Sequence, residues 1–92
     1  MSKFEIELPI ERWQTGEFLP KELEGNYEIK IISAKKNQVK KTASARIKIA
    51  GDDTVYTVEY ADLNPVEKNG KAVLEKEEYS VYIENGKILE VN

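Results

Sequence analysis

Apolar and polar side chains alternate with a period of two along four segments of the chain. The pattern is regular over residues 27–31, and it recurs over residues 4–10, 43–49 and 79–83. Successive side chains of a β-strand point to opposite faces, so this alternation predicts half-buried strands. We therefore predict an all-β protein. The positions expected to form its core are Ile29, Ile31, Ile47, Ile49, Val81 and Ile83.

Turn signals separate these segments. Gly51-Asp52-Asp53 predicts a turn before a further strand over residues 54–60, which are rich in β-branched and aromatic side chains. Asn69-Gly70 and Asn85-Gly86 are both the preferred dipeptide of a two-residue type I′ hairpin. Residues 62–78 leave two alternatives open, a hairpin or a helix, because good helix formers surround the first of these dipeptides.

The remaining segments are less regular. Pro9 has no amide hydrogen to donate, which places the strand over residues 4–10 at a sheet edge or at a bend. Residues 11–25 are predicted to be an irregular connection, in which residues 20–24 fit a single helical turn behind a proline. Residues 35–42 are predicted to be a polar loop between two strands.

Chain length limits the architecture. A chain of 92 residues supports one domain with one modest core, and we assign residues 1–92 to it. Five to seven antiparallel strands bury their apolar faces by closing into a small barrel or by forming a two-layer sandwich. Three strands, a variable segment and a final hairpin follow the order of an OB-like barrel. An SH3-like barrel and a minimal β-sandwich remain open as alternatives.

The chain contains no histidine and no cysteine. Histidine is the usual general base near neutral pH and a common metal ligand, and cysteine is the strongest side-chain nucleophile. We therefore expect no enzyme, no catalytic residue, no cofactor and no metal site. A domain without disulfides fits a reducing compartment, and the longest apolar runs are far shorter than a signal peptide or a membrane span. These features predict a cytoplasmic protein without a membrane anchor.

Basic residues are concentrated in one part of the sequence. The whole chain has 14 basic and 17 acidic residues, yet residues 29–51 contain seven basic residues and no acidic one. A local positive field of this kind suits the phosphate backbone of a nucleic acid. The alternative is a solvated hairpin whose lysines oppose edge-to-edge aggregation. The predicted phosphate-binding residues are Lys30, Lys35, Lys36, Lys40, Lys41, Arg46 and Lys48.

Aromatic side chains are the second requirement for binding unpaired bases, which stack on exposed rings. Tyr82 alternates with the apolar residues of its strand and is therefore predicted to be exposed and available for stacking. Tyr56 and Tyr60 are predicted to be core residues, because large aromatic side chains in small β-domains are mostly buried. Trp13 is predicted to cover the core.

Residues 18–50 carry a resemblance to a known family. Phe18-Leu19-Pro20, then residues 25–31 with Gly25 and Tyr27, then Ala34-Lys35-Lys36 and Lys40-Lys41, resemble the opening of small phage-type single-stranded-DNA-binding OB-fold proteins. In that family a proline and a glycine lead into a tyrosine-containing first strand and a lysine loop. The resemblance implies an OB-like barrel and binding of single-stranded DNA through the lysines.

Two functions follow from these observations as predictions. The first is a non-enzymatic binding module that holds single-stranded nucleic acid on the basic hairpin, residues 29–51. The alternative is a protein-interaction domain, such as a phage or mobile-element accessory protein, that binds a partner through a strand edge or a charged face.

Overall fold

The computed structural model describes residues 4–10 and 13–92. These residues form two antiparallel sheets, a five-stranded sheet of order β4-β3-β2-β7-β8 and a three-stranded sheet of order β1-β6-β5. The prediction of an all-β protein is confirmed. The elements are β1 Phe4–Glu7, β2 Gly25–Asn37, β3 Thr42–Ile49, β4 Val55–Glu59, a 3-10 helix Tyr60–Leu63, β5 Val66–Lys68, β6 Lys71–Leu74, β7 Glu78–Glu84 and β8 Lys87–Val91.

The two sheets do not close into a barrel, so the architecture corresponds to the sandwich alternative and not to the OB-like one. The described residues contain eight strands, more than the five to seven predicted, because residues 66–74 add a short hairpin. Residues 1–3, which the sequence assigned to the domain, and residues 11 and 12, which it assigned to the irregular connection, lie outside the described residues.

Both sheets contribute to one apolar cluster. Ile6 and Leu74 come from the three-stranded sheet. Ile47 comes from the five-stranded sheet and has no exposed surface. Burial follows the period-two pattern in β3, in β7 and over residues 28–32 of β2, because one face of these strands packs against the core. The predicted core is confirmed in full: Ile29, Ile31, Ile47, Ile49, Val81 and Ile83 are all buried.

The hairpin of β2 and β3 is longer than predicted. The loop expected over residues 35–42 is wrong for half of that range, because β2 continues to Asn37 and β3 begins at Thr42. The polar side chains there project from paired strands, with Lys35 opposite Ser44 and Lys36 opposite Ala43. Backbone pairing between neighbouring strands outweighs the weak loop preference of polar residues.

Both Asn-Gly dipeptides form tight turns with positive φ at each residue. The φ angles are 51° and 76° at Asn69 and Gly70, and 53° and 78° at Asn85 and Gly86. Positive φ at both central residues is the mark of a type I′ turn, so the turn predicted at Asn85-Gly86 is confirmed, and at Asn69-Gly70 the hairpin alternative is the correct one. The helical alternative for residues 62–78 is wrong, because β5 and β6 occupy residues 66–74.

The described segments that precede β2 pack across the sheets, and residues 13–24 among them form a strap. β1 is an edge strand, as Pro9 predicted, and it pairs with β6. Residues 20–24 form a turn closed by a 3.0 Å hydrogen bond from the Leu23 amide to the Pro20 carbonyl, and not the predicted helical turn. The Leu19 amide donates to the Gly86 carbonyl at 2.8 Å, which ties this segment to the last hairpin.

Tyr60 is fully buried, which confirms its predicted core position. Its hydroxyl lies 2.8 Å from the carbonyl oxygens of both Phe4 and Ala72, and so it bridges β1 and β6. Burial raises the pKa of the Tyr60 phenol well above its ordinary value of 10.

We expect Tyr60→Phe to lower the free energy of unfolding by about 1 to 2 kcal/mol at pH 7, because the Phe4 and Ala72 carbonyls lose the one hydroxyl donor that they share. The raised pKa means that Tyr60 stabilises the folded state below about pH 10, the unfolded value, and that this contribution is lost as the pH rises further. Urea unfolding from pH 7 to pH 11 should therefore show a steeper alkaline loss for the wild type than for Tyr60→Phe. Parallel pH profiles for the two proteins would contradict this assignment, and Tyr27→Phe serves as a half-buried control.

Candidate nucleic-acid interface

Four of the predicted basic residues share the outer face of the five-stranded sheet, the face opposite the core. They are Lys30 and Lys35 on β2 and Arg46 and Lys48 on β3, and all four are exposed. Lys30 lies directly opposite Lys48 in the ladder, and like charges at this separation repel. No salt bridge found among the described residues involves any of the four.

A β-bulge decides which lysines reach this face. The register shifts between Ile31 and Ser33, where β2 contains one residue more than its partner strand. An extra residue inverts the face of every side chain that follows it. Lys35 therefore joins Lys30 on the outer face, although the odd number of steps between them would otherwise place them on opposite faces.

The same inversion turns Lys36 toward the inner side, where it contacts Trp13. The Lys36 ammonium lies 4.5 Å from the centre of the indole ring and donates to the Glu7 carbonyl at 2.6 Å. The Lys41 ammonium lies 5.0 Å from the same ring. Ammonium groups at these distances are attracted to an aromatic face. Trp13 is half-buried against the core, as predicted, and these two lysines hold it in place.

Lys40 completes the set in the exposed turn between β2 and β3. Its amide donates to Asn37 Oδ1 at 3.0 Å, which fixes the turn and leaves its ammonium in solvent. The seven predicted basic residues thus divide into three groups: four on the outer face, two over Trp13, and Lys40 in the turn.

Tyr82 lies away from most of these cations. It pairs with Asn26 at the start of β2, four residues or roughly 13 Å from Lys30 at about 3.3 Å per residue. Its half-buried side chain donates to Glu84 Oε1 at 3.0 Å, and this hydrogen bond is the main cause that raises the pKa of Tyr82. Nearby carboxylates make this end of the sheet acidic. A stacking role for Tyr82 stays a prediction.

A shallow cavity of about 180 Å³ lies between the outer cations. Its lining combines the cations Lys35 and Arg46 with the hydroxyl-bearing residues Ser33, Ser44 and Thr57. Ammonium, guanidinium and hydroxyl groups all donate hydrogen bonds, and these are the side chains that contact phosphate oxygens in nucleic-acid complexes. The cavity is therefore chemically suited to an anion.

Glu59 is a buried acid that the sequence pattern did not single out. Its carboxylate accepts hydrogen bonds of 2.7 to 2.9 Å from the Thr15 amide, the Thr15 hydroxyl and the Gly16 amide. These contacts hold residues 13–17 beside β4. A carboxylate within the apolar and β-branched run of residues 55–60 is the one sequence signal that marks it.

Phe18 is the other feature that sequence reasoning missed. It is 63% exposed, and the Lys87 ammonium lies 5.1 Å from its ring centre. The Leu19–Gly86 hydrogen bond places it near the β7–β8 turn, at the end of the sheet opposite the basic turn of residues 38–41. The structure does not bring it together with the outer cations.

Comparison with models of known protein families, with curated proteins and with solved structures gave no match. The resemblance of residues 18–50 to phage-type single-stranded-DNA-binding proteins thus stays a prediction. Across residues 4–10 and 13–92, no group of three acidic, histidine or cysteine side chains is placed to hold a metal ion. The same ranges include no helix with the length and apolar character needed to cross a membrane. The fold and the site together define a two-sheet β-protein with a cationic outer face.

Proposed function

We propose that this protein is a non-enzymatic module that binds single-stranded nucleic acid on the outer face of its five-stranded sheet. Lys30, Lys35, Arg46 and Lys48 contact the phosphates, and Lys40 extends the site at the turn. The observation that carries the proposal is the cluster of four exposed cations without a salt bridge among the described residues, on a chain whose net charge is −3.

The other sheet provides the contrast. Its two described lysines are both neutralised: Lys68 pairs with Glu75, and Lys71 lies 3.5 Å from Glu5. Glu78 lies opposite Lys30 in the β2–β7 ladder, but none of the salt bridges among the described residues involves the four outer cations. The cluster produces a local positive potential, and a polyanion would relieve the repulsion between Lys30 and Lys48.

A protein-interaction domain is the second candidate, favoured by the open edges of both sheets. β4 is an edge strand whose Val55 is 45% exposed, and β1 is an edge of the three-stranded sheet. An extended segment of a partner protein can add to such an edge through backbone hydrogen bonds. This candidate predicts a protein partner and no binding of oligonucleotides at low salt.

Two double variants of equal charge test the proposal. Arg46→Gln with Lys48→Gln should weaken binding of a thymidine oligonucleotide, because two phosphate contacts are lost. The slope of log affinity against log salt should flatten by about 0.7 for each contact removed. Lys68→Gln with Lys71→Gln removes the same charge from the other sheet and should change neither value appreciably. Fluorescence anisotropy over a series of salt concentrations measures both quantities.

An equal loss of affinity in both double variants would mean that net charge, and not the outer face, governs binding. Absence of any oligonucleotide binding by the wild type at low ionic strength would reject the proposed function and favour the protein-interaction candidate.

A further inference from the structure

An apolar strip runs from the three-stranded sheet, where its first member packs partly against the core, onto the outer face beside the cations. It lines a cavity of about 570 Å³, together with Lys30, Lys48, Ile31 and Glu77. The apolar strip consists of Phe4, Ile32 and Val55, which belong to β1, β2 and β4 respectively. The strip therefore crosses from one sheet to the far edge of the other.

Two of these side chains are well exposed to solvent. Ile32 is 41% exposed and Val55 is 45% exposed, although both are β-branched residues within strands. Ile32 is the residue at the bulge of β2, between two residues that pair regularly with β3. Bulges often redirect a side chain at functional positions.

Cations border the strip on both sides. Lys30 and Lys48 line the same cavity, and Arg46 lies two residues from Lys48 on the same face of β3. A single strand of nucleic acid presents the same alternation of chemistry, because it exposes the apolar faces of its bases beside a row of phosphates. A duplex encloses its base faces in the helical stack, and so it offers the strip no apolar surface.

We propose that the apolar strip is the base-contacting floor of the site, and that it makes the protein selective for single strands over duplexes. This inference rests on the proposed function, since the flanking cations must hold the phosphates for the bases to reach the strip. The cavity is an open depression lined by four apolar and three charged side chains, so a strand lying on it can place bases on the strip and phosphates beside the lysines.

The test uses a thymidine oligonucleotide, an abasic strand of the same length and a duplex. Wild-type protein should bind the thymidine strand about ten-fold more tightly than the abasic strand, because only the former has bases to place on the strip. Ile32→Thr with Val55→Thr should abolish this preference while the salt slope stays unchanged. Threonine keeps the β-branched shape, so the strands should be retained, and thermal unfolding checks this.

The matched control is Val66→Thr with Leu89→Thr. These residues are 41% and 57% exposed on β5 and β8, away from the strip, and their replacement should leave the preference for bases intact. Equal wild-type affinity for thymidine and abasic strands would overturn the inference while leaving phosphate binding by the cations in place. Equal affinity for duplex and single strand would overturn it likewise.

Failure of the underlying function gives a different result. If the wild type binds none of the three nucleic acids but binds an extended peptide of alternating glutamate and leucine, the strip serves a protein partner, and both proposals fall. If it binds none of these probes, both proposals also fall.

Discussion

Gly86→Ala is expected to lower the free energy of unfolding by about 3 to 4 kcal/mol, and Gly70→Ala by about 1 kcal/mol. The two glycines occupy the same position in the two Asn-Gly turns, with φ of 78° and 76°. Both variants therefore carry the same cost of placing a β-carbon in the left-handed region. The difference between them comes from the surroundings of the turn.

A β-carbon at Gly86 would lie 2.7 Å from the Leu19 carbonyl oxygen and 3.2 Å from the Phe18 β-carbon, whereas at Gly70 it meets nothing within 4 Å. The Leu19 carbonyl is backbone and cannot rotate away as a side chain would. The 2.8 Å hydrogen bond from the Leu19 amide to the Gly86 carbonyl holds the two segments together. Relief of the clash must therefore distort the turn or detach the strap.

Chemical denaturation of the two variants measures this difference directly. Each Gly→Ala change has a similar effect on the unfolded chain, so subtracting one loss from the other removes most of that contribution. Equal losses of stability for Gly86→Ala and Gly70→Ala would show that the backbone near Leu19 moves aside without cost. That result would contradict the close packing of Leu19 against the last hairpin.

Glu59→Gln is expected to lower the free energy of unfolding by about 2 to 4 kcal/mol, because the carboxylate accepts charge-assisted hydrogen bonds from three donors. Glutamine keeps the size of the side chain but has one acceptor oxygen, and its NH₂ group would face N–H donors. Glu59 is 4% exposed, so water replaces the lost contacts poorly. Glu67→Gln on exposed β5 is the control and should change stability by less than about 0.5 kcal/mol.

Trp13 supplies a second readout, since it is the one tryptophan of the chain and lies in the segment of residues 13–17 that Glu59 holds. In Glu59→Gln, its fluorescence should shift to longer wavelength at lower denaturant than is needed to unfold the sheets, as residues 13–17 detach first. A single transition at the wild-type midpoint would argue against Glu59 as the anchor of this segment.

The bulge in β2 connects the fold to the proposed site. It turns Ile32 outward as part of the apolar strip, moves Lys35 to the outer face, and directs Lys36 onto Trp13. A regular strand would exchange the faces of these two lysines. The run of basic residues over 29–51 does not predict which lysines face outward, because a bulge depends on how two strands fit together and not on the composition of either one.

Residues close in sequence determined most of what was predicted correctly. Alternation within one strand decides which side chains are buried, as Ile47 and Val81 show, and an Asn-Gly dipeptide provides by itself the positive φ of a type I′ turn. The all-β class and its turns follow from these local preferences.

Tertiary structure alone decided the remaining features. The separation of Tyr82 from the basic turn, the burial of Glu59 beneath residues 13–17 and the pairing of β1 with β6 all depend on which distant segments meet. These long-range contacts are selected by the packing of the whole core and by the need to pair backbone hydrogen-bonding groups. No short stretch of sequence specifies either of these conditions. The sequence by itself therefore determined that the basic residues are clustered, whereas the sheets decided which four of them share a face.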